Sequence, residues 1–148
     1  MESGPVYGDI LVPTDGSDSS TAAVEQAVAI AEGESTTVHF LHVVDVGTEM
    51  SASASGNIAS QLTEMLEEEA ESALDDAVSR AEAASVDYEQ TTREGDPHEV
   101  IEKYSAEHDI DLVVMGASGQ SGLKERLLGS TTDRVVRTVE TSVLIARP

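Results

Sequence analysis

Three glycines and two hydroxyl residues carry the most specific chemistry in this chain: Gly116, Gly119, Gly129, Ser130 and Thr131. They follow an apolar run, Asp111–Met115 (DLVVM), and precede an amphipathic segment. A strand ending in glycines, a polar loop and a Gly-Ser-Thr helix start suit the binding of phosphate. Glycine lets backbone N–H groups come close to an anion. The first turn of a helix offers free N–H groups and the positive end of its dipole. Two plainer readings stand beside this one. The glycines could form an ordinary loop after a strand, and Ser130-Thr-Thr-Asp133 is also a capping box. Capping uses one or two N–H groups and leaves the others for a ligand. Asp133 must then turn away from a phosphate or help hold a cation.

Two common phosphate motifs do not fit. A P-loop requires G-x-x-x-x-G-K-[ST], and the nearby lysine, Lys124, is wrongly spaced. A dinucleotide fingerprint requires G-x-G-x-x-G, and position 118 is Ser. Lys124 and Arg126 could fold over a phosphate chain from the loop Gln120–Leu128, or could simply offset nearby acids. Asp15 stands in Thr14-Asp-Gly-Ser17, which alone reads as an Asp-Gly turn. His39 and His42 are three apart in a strand, so they face opposite sides and do not chelate one metal together. His98 and His108 are ten residues apart and make no zinc pair. No residue is placed as a general base, so nothing argues for fast hydrolysis.

These residues need a scaffold, and the periodicity supplies one. Strands are predicted at 7–12, 36–44, 86–93, 110–115 and 143–146. Helices are predicted at 17–32, with Ser17 as N-cap, and at 58–84. A third helix opens with Asp96 as N-cap and Pro97 at its first position, and a fourth covers 130–140. The second helix should bury a stripe including Met65, Leu74, Ala77 and Ala81, and the fourth should bury Val135, Val136 and Val139. The acids between them read as a solvated face. The segment 45–57 (DVGTEMSASASGN) reads as a loop. Strict β-α alternation implies one α/β domain over residues 1–148, with a parallel sheet and helices on both faces. A ligand in such a fold lies beyond the carboxyl ends of the strands, where the strand order reverses. The loops after the first and fourth strands, at Pro13–Asp15 and Gly116, would meet there. Pro13 and Thr14 would shape one wall, and Met115 an apolar floor.

Composition limits the partners. The chain has 148 residues, no cysteine and no tryptophan, so it has no disulfide framework or thiol chemistry. No apolar run approaches the ~18 residues of a membrane span, and no signal peptide is recognisable. A cytoplasmic protein is the expectation. The 29 acidic residues against 8 basic ones give a formal net charge of −21. That charge argues against nucleic acid and anionic membranes as partners. The periodic, 39% hydrophobic sequence argues against disorder. Adaptation to high salt is the remaining explanation, because at about 1 M salt the Debye length is ~3 Å. ATP is a polyanion too, so such a surface should bind it better with screening salt or a divalent cation.

The spacing G-x2-G-x9-G-S-T resembles the nucleotide-binding signature of the ATP-binding branch of the universal stress protein family. The similarity runs from Gly8-Asp-Ile-Leu-Val-Pro-Thr-Asp-Gly-Ser17 to Ser142-Val-Leu-Ile-Ala-Arg-Pro148. The resemblance implies a Rossmann-like sheet of five parallel strands in the order 3-2-1-4-5. It implies that Asp15 lies near the ribose or phosphates and that the backbone of Val43 meets the adenine. Together with Pro13, Thr14, Met115, Gly116, Gly119, Gly129, Ser130 and Thr131, these make the expected nucleotide site, with Mg²⁺ accompanying ATP. It further implies a homodimer paired through the strand 143–146, acting in stress response or signalling. A nucleotide-free dimeric interaction protein and a slow ATPase are the alternatives.

Overall fold

The computed structural model describes residues 6–45, 56–117 and 129–148. Among these residues five strands alternate with four helices: β1 (Asp9–Pro13), α1 (Asp18–Ala31), β2 (Thr37–Val44), α2 (Gly56–Ala83), β3 (Asp87–Glu94), α3 (Pro97–Glu107), β4 (Leu112–Gly116), α4 (Ser130–Thr138) and β5 (Ser142–Ala146). The strands form one all-parallel sheet in the order β3-β2-β1-β4-β5. This is the expected 3-2-1-4-5 order.

Period-two alternation in the central strands divides the core between two faces. Ile10, Val12, Val38, Phe40, Leu112 and Val114 pack with buried residues of α1 and α2. Leu11, Leu41, Val113 and Met115 point the other way, to Ile101 and Tyr104 of α3 and Val135 of α4. The two outer strands differ from the central three. β3 is exposed at Asp87, Glu89, Gln90, Thr92 and Glu94, so charge blunts that edge. β5 forms the opposite edge and presents Val143, Leu144 and Ile145, each half-buried.

Ser17 caps α1 as expected, its hydroxyl accepting from the Ser20 N–H at 3.2 Å. Two apolar positions depart from expectation. Met65 is 57% exposed, and among the described side chains of α2 the first buried one is Ala70. A helix of 28 residues is ~42 Å long, whereas an eight-residue strand such as β2 spans ~26 Å, so one end of α2 outruns the sheet beneath it. Val136 is 43% exposed, because the short α4 turns Thr132 and Val135 toward the sheet. The loop expected over 45–57 lies outside the described residues at 46–55, and Gly56 and Asn57 already belong to α2.

At the amino ends of the strands a buried polar network ties α3 to the sheet. His39, 3% exposed, donates from Nε2 to Asp9 Oδ1 at 2.9 Å. Nδ1 of the same ring pairs with the Tyr104 hydroxyl, 2.8 Å away. His108 stacks on the Tyr104 ring with centroids 3.8 Å apart, and the Arg93 guanidinium lies 4.9 Å from the ring centroid. Burial raises the Tyr104 pKa. Below pH ~10 folded and unfolded chains both keep this proton and its contribution is intact. Above that pH the unfolded chain ionises first, and stability falls. We expect Tyr104→Phe to cost about 1–3 kcal/mol at neutral pH, since it leaves His39 Nδ1 unpaired, and to shrink the alkaline loss. Denaturant unfolding at pH 7 and pH 11 in molar salt checks both.

Candidate nucleotide-binding site

The site is built where β1 and β4 lie side by side and the chain leaves each toward an opposite face of the sheet. Three segments converge there: the turn after β1, the end of β4 and the start of α4. A cleft of about 280 Å³ opens between them.

The turn after β1 is fixed by its own short side chains. Asp15 Oδ1 accepts the Ser17 N–H at 2.9 Å. Ser20 Oγ accepts the Asp15 N–H at 3.3 Å and donates to the Ser17 carbonyl at 3.2 Å. Gly16 has φ +81°, a left-handed conformation that favours glycine. β2 holds the turn from the other side. The Thr14 N–H donates to the Leu41 carbonyl at 2.8 Å. His42 Nδ1 lies 2.8 Å from the Thr14 carbonyl, which can only accept, so Nδ1 carries the proton. His39 and His42 thus serve opposite faces, as their spacing requires.

Gly116 does more than end a strand. A Cβ placed on it would fall 2.5 Å from the Ser19 carbonyl carbon. The absent side chain is what allows the first turn of α1 to sit against β4. The Gly116 carbonyl accepts the Thr132 hydroxyl at 2.9 Å, and the Gly129 N–H donates to the Ala117 carbonyl at 2.8 Å. These two bonds set the start of α4 against the end of β4. The capping box does not form. Gly129 is the N-cap, no side chain caps the helix, and Asp133 Oδ2 instead accepts from Arg137 Nε at 3.1 Å. One helical turn of separation favours that ion pair over a reach back to the cap. The first amides of α4 therefore keep their donors at the cleft, with Ser130 and Thr131 beside them.

Nine of the ten residues singled out from the sequence line this cleft: Pro13, Thr14 and Asp15 after β1, Val43 on β2, Met115 and Gly116 on β4, and Gly129, Ser130 and Thr131 at α4. The tenth, Gly119, lies outside the described residues, as do Lys124 and Arg126. Five more lining residues were not anticipated: Ser20, Leu41, Pro97, Ile101 and Thr132. Pro97 and Ile101 reach it from α3, and only knowledge of which face α3 covers could have found them. The result is a two-part surface. Leu41, Val43, Ile101 and Met115 offer an apolar wall that suits a flat ring, and the α4 end offers N–H and hydroxyl donors. Among the described lining residues there is no Lys or Arg, and Asp15 is the sole carboxylate.

Beside Pro97, at the rim, Asp96, His98 and Glu99 place three metal-capable atoms within 4.8 Å of one another. Asp96 does not cap α3 with its side chain; its Oδ1 lies 2.7 Å from His98 Nδ1, so each satisfies the other. His98 meets these carboxylates, not His108.

The sequence model of the universal stress protein family matches residues 7–147. The chain belongs to the universal stress protein family. A universal stress protein of Methanocaldococcus jannaschii is 34% identical over 142 residues, covering 96% of this chain and 83% of the relative. The solved structure of universal stress protein UspA from Lactobacillus plantarum superposes with a TM-score of 0.78 at 34% identity, over 95% of this chain and 98% of that one. A universal stress protein solved in complex with cAMP gives a TM-score of 0.69 at 30% identity, over 95% and 97% of the two chains. Family membership agrees with the observed sheet order and with helices on both faces. Among the described residues no helix is long and apolar enough to cross a membrane.

Gly116→Ala tests the close approach at the heart of the site. Its methyl meets backbone, which yields poorly, so we expect a loss of about 1–3 kcal/mol. Thermal unfolding in molar salt measures it, and an unchanged midpoint would count against the packing role.

Proposed function

We propose that this chain binds ATP in the cleft as a single-domain, homodimeric stress-response or signalling module of the cytoplasm. The observation that carries the reading is the uncapped start of α4, with Gly129, Ser130 and Thr131 facing an apolar wall across the β1–β4 junction. The amides and hydroxyls of α4 would take phosphate oxygens. Val43, Leu41 and Met115 would hold the base, and Asp15 a ribose hydroxyl or a cation-bound water. The cAMP complex of a relative supports an adenine nucleotide as the ligand class.

The donor set fits a nucleotide that brings its own cation. The described lining has one carboxylate and no cationic side chain, so Mg²⁺ would be held chiefly by phosphate oxygens and water, with Asp15 the nearest protein group to share it. When bound, it would offset phosphate charge beside a strongly acidic chain. Among the described lining residues none stands as a general base at the α4 end, so hydrolysis would be slow. The net charge of −21 makes nucleic acid an unfavourable partner.

Dimerisation is proposed through β5. It is an edge strand with Val143, Leu144 and Ile145 only half-buried, and Val136 is exposed on the preceding helix. Pairing with the same strand of a second copy would cover this edge with two-fold symmetry.

Calorimetry with ATP and Mg²⁺ in molar salt tests the nucleotide. Wild type should bind, and Gly129→Asp, which sets a carboxylate against the phosphates, should weaken binding by about 100-fold, or about 2.8 kcal/mol. A folded wild type that binds no nucleotide would shift the reading to a nucleotide-free interaction protein. Sedimentation tests the assembly: the full chain should run at twice the chain mass, and removal of residues 142–148 should give monomer or aggregate. A truncated chain that still forms the same dimer would sink the β5 interface.

A further inference from the structure

One buried group in the cleft has no protein partner. Thr14 is 5% exposed, and its hydroxyl is the sole buried side-chain polar atom without a hydrogen bond among the described residues. Its backbone cannot help: the N–H is engaged by Leu41 and the carbonyl by His42, each at 2.8 Å. These two bonds also pin the residue, so the hydroxyl is not left unpartnered by backbone looseness. Thr14 borders the cleft on one side and a second cavity, between α1 and α2, on the other. Turning about Cα–Cβ carries the hydroxyl between staggered positions without moving the backbone.

We infer that the Thr14 hydroxyl is a ligand-reading group: unpartnered while the cleft is empty, it turns to hydrogen-bond an oxygen of the bound nucleotide. This deepens the nucleotide reading of the cleft and rests on it. A buried hydroxyl without a partner destabilises the ligand-free fold, and a ligand that takes it recovers that loss on binding. Thr14 thereby contributes affinity by disfavouring the empty state. His42 is the positioning residue, holding the carbonyl so that the side chain, not the peptide, meets the ligand. The oxygen recognised belongs either to the sugar or to a phosphate, since one hydroxyl can serve both.

Thr14→Val separates this role from packing, because it keeps the branched shape and removes only the oxygen. Two effects of opposite sign are expected. The ligand-free variant should melt at or above the wild type, by up to roughly 2–6 °C. Its affinity for ATP with Mg²⁺ should fall about 5–30-fold. Thr14→Ser, which keeps the hydroxyl, should bind within about threefold of wild type. Calorimetry with adenosine beside ATP tells the sources apart: an equal loss for both assigns the sugar, and a loss for ATP alone assigns a phosphate. Valine binding as tightly as wild type would overturn the inference and leave the nucleotide site standing. A lower melting point for the ligand-free valine variant would also overturn it, since the hydroxyl would then have a protein partner. A wild type that binds neither compound removes the nucleotide reading, and this inference with it.

Discussion

β1 sits between β2 and β4, yet the chain runs directly from β1 to β2 and reaches β4 only after β3. Parallel strands require right-handed crossovers, so this order sends α1 and α2 to one face and α3 and α4 to the other. The connections leaving β1 and β4 therefore diverge, and the gap between them is the cleft. Everything placed there depends on that pairing. The turn at Thr14–Ser17, the glycine at 116 and the start of α4 are distant in sequence and meet because Ile10 pairs with Leu112 and Leu11 with Val113. A side chain at Gly116 would press against the Ser19 backbone and push α1 away from β4, disturbing both walls at once.

The site and the surface pose an electrostatic conflict. The chain carries a net charge of −21, and the described part of the cleft supplies no cationic side chain. Under the proposed reading, the described part of the cleft would attract phosphate through dipoles: the free amides of α4, with Ser130 and Thr131. Dipoles act over a few ångströms, whereas the repulsion of the whole chain acts over a Debye length. High salt shortens the second and spares much of the first. The same acidic surface that is unfavourable for a polyanion in dilute solution is therefore compatible with one in brine, provided that the amides are not capped from within. The pairing of Asp133 with Arg137 meets that condition by drawing the carboxylate along the helix and away from its N-cap.

What the sequence disclosed followed from periodicity and from residues with special backbone requirements. The β-branched apolar run of β2, the Ser17 cap, the Asp96-Pro97 helix start and the glycine at 129 each fix a local conformation, and all were legible. The strand order came from family resemblance, since no local signal in Ile10 or Leu112 states that they are partners. The misreadings share a physical cause: they concern what lies opposite a residue. Met65 fits the helical stripe of α2, but one end of that helix runs past the sheet. Val136 fits the pattern of α4, but this nine-residue helix buries Thr132 and Val135 instead. Gly116 reads as a turn residue because its conflict with Ser19 involves an element ninety-seven positions earlier. Ile101 and Pro97 looked like core and helix-start residues, and they are, but the fold also brings them to the cleft.

The two ends of the sheet treat buried polar groups differently, and the contrast bears on Thr14. At the amino end, His39 is satisfied by Asp9 and Tyr104, the Thr36 hydroxyl by the Tyr7 carbonyl, and the amides of Gly8 and Asp9 by Asp111. Among the described residues no buried side-chain polar atom at that end lacks a partner, and the network holds α3 and the strands in register. At the carboxyl end the Thr132 hydroxyl, also buried, finds the Gly116 carbonyl. Thr14 alone among the described buried side chains does not follow this pattern, and it stands where three elements converge on a cavity. A fold able to satisfy its other buried hydroxyls could replace this one with valine at little steric cost. That it does not is intelligible if the missing partner comes from outside the chain: stability is forgone at the one place where a ligand can restore it.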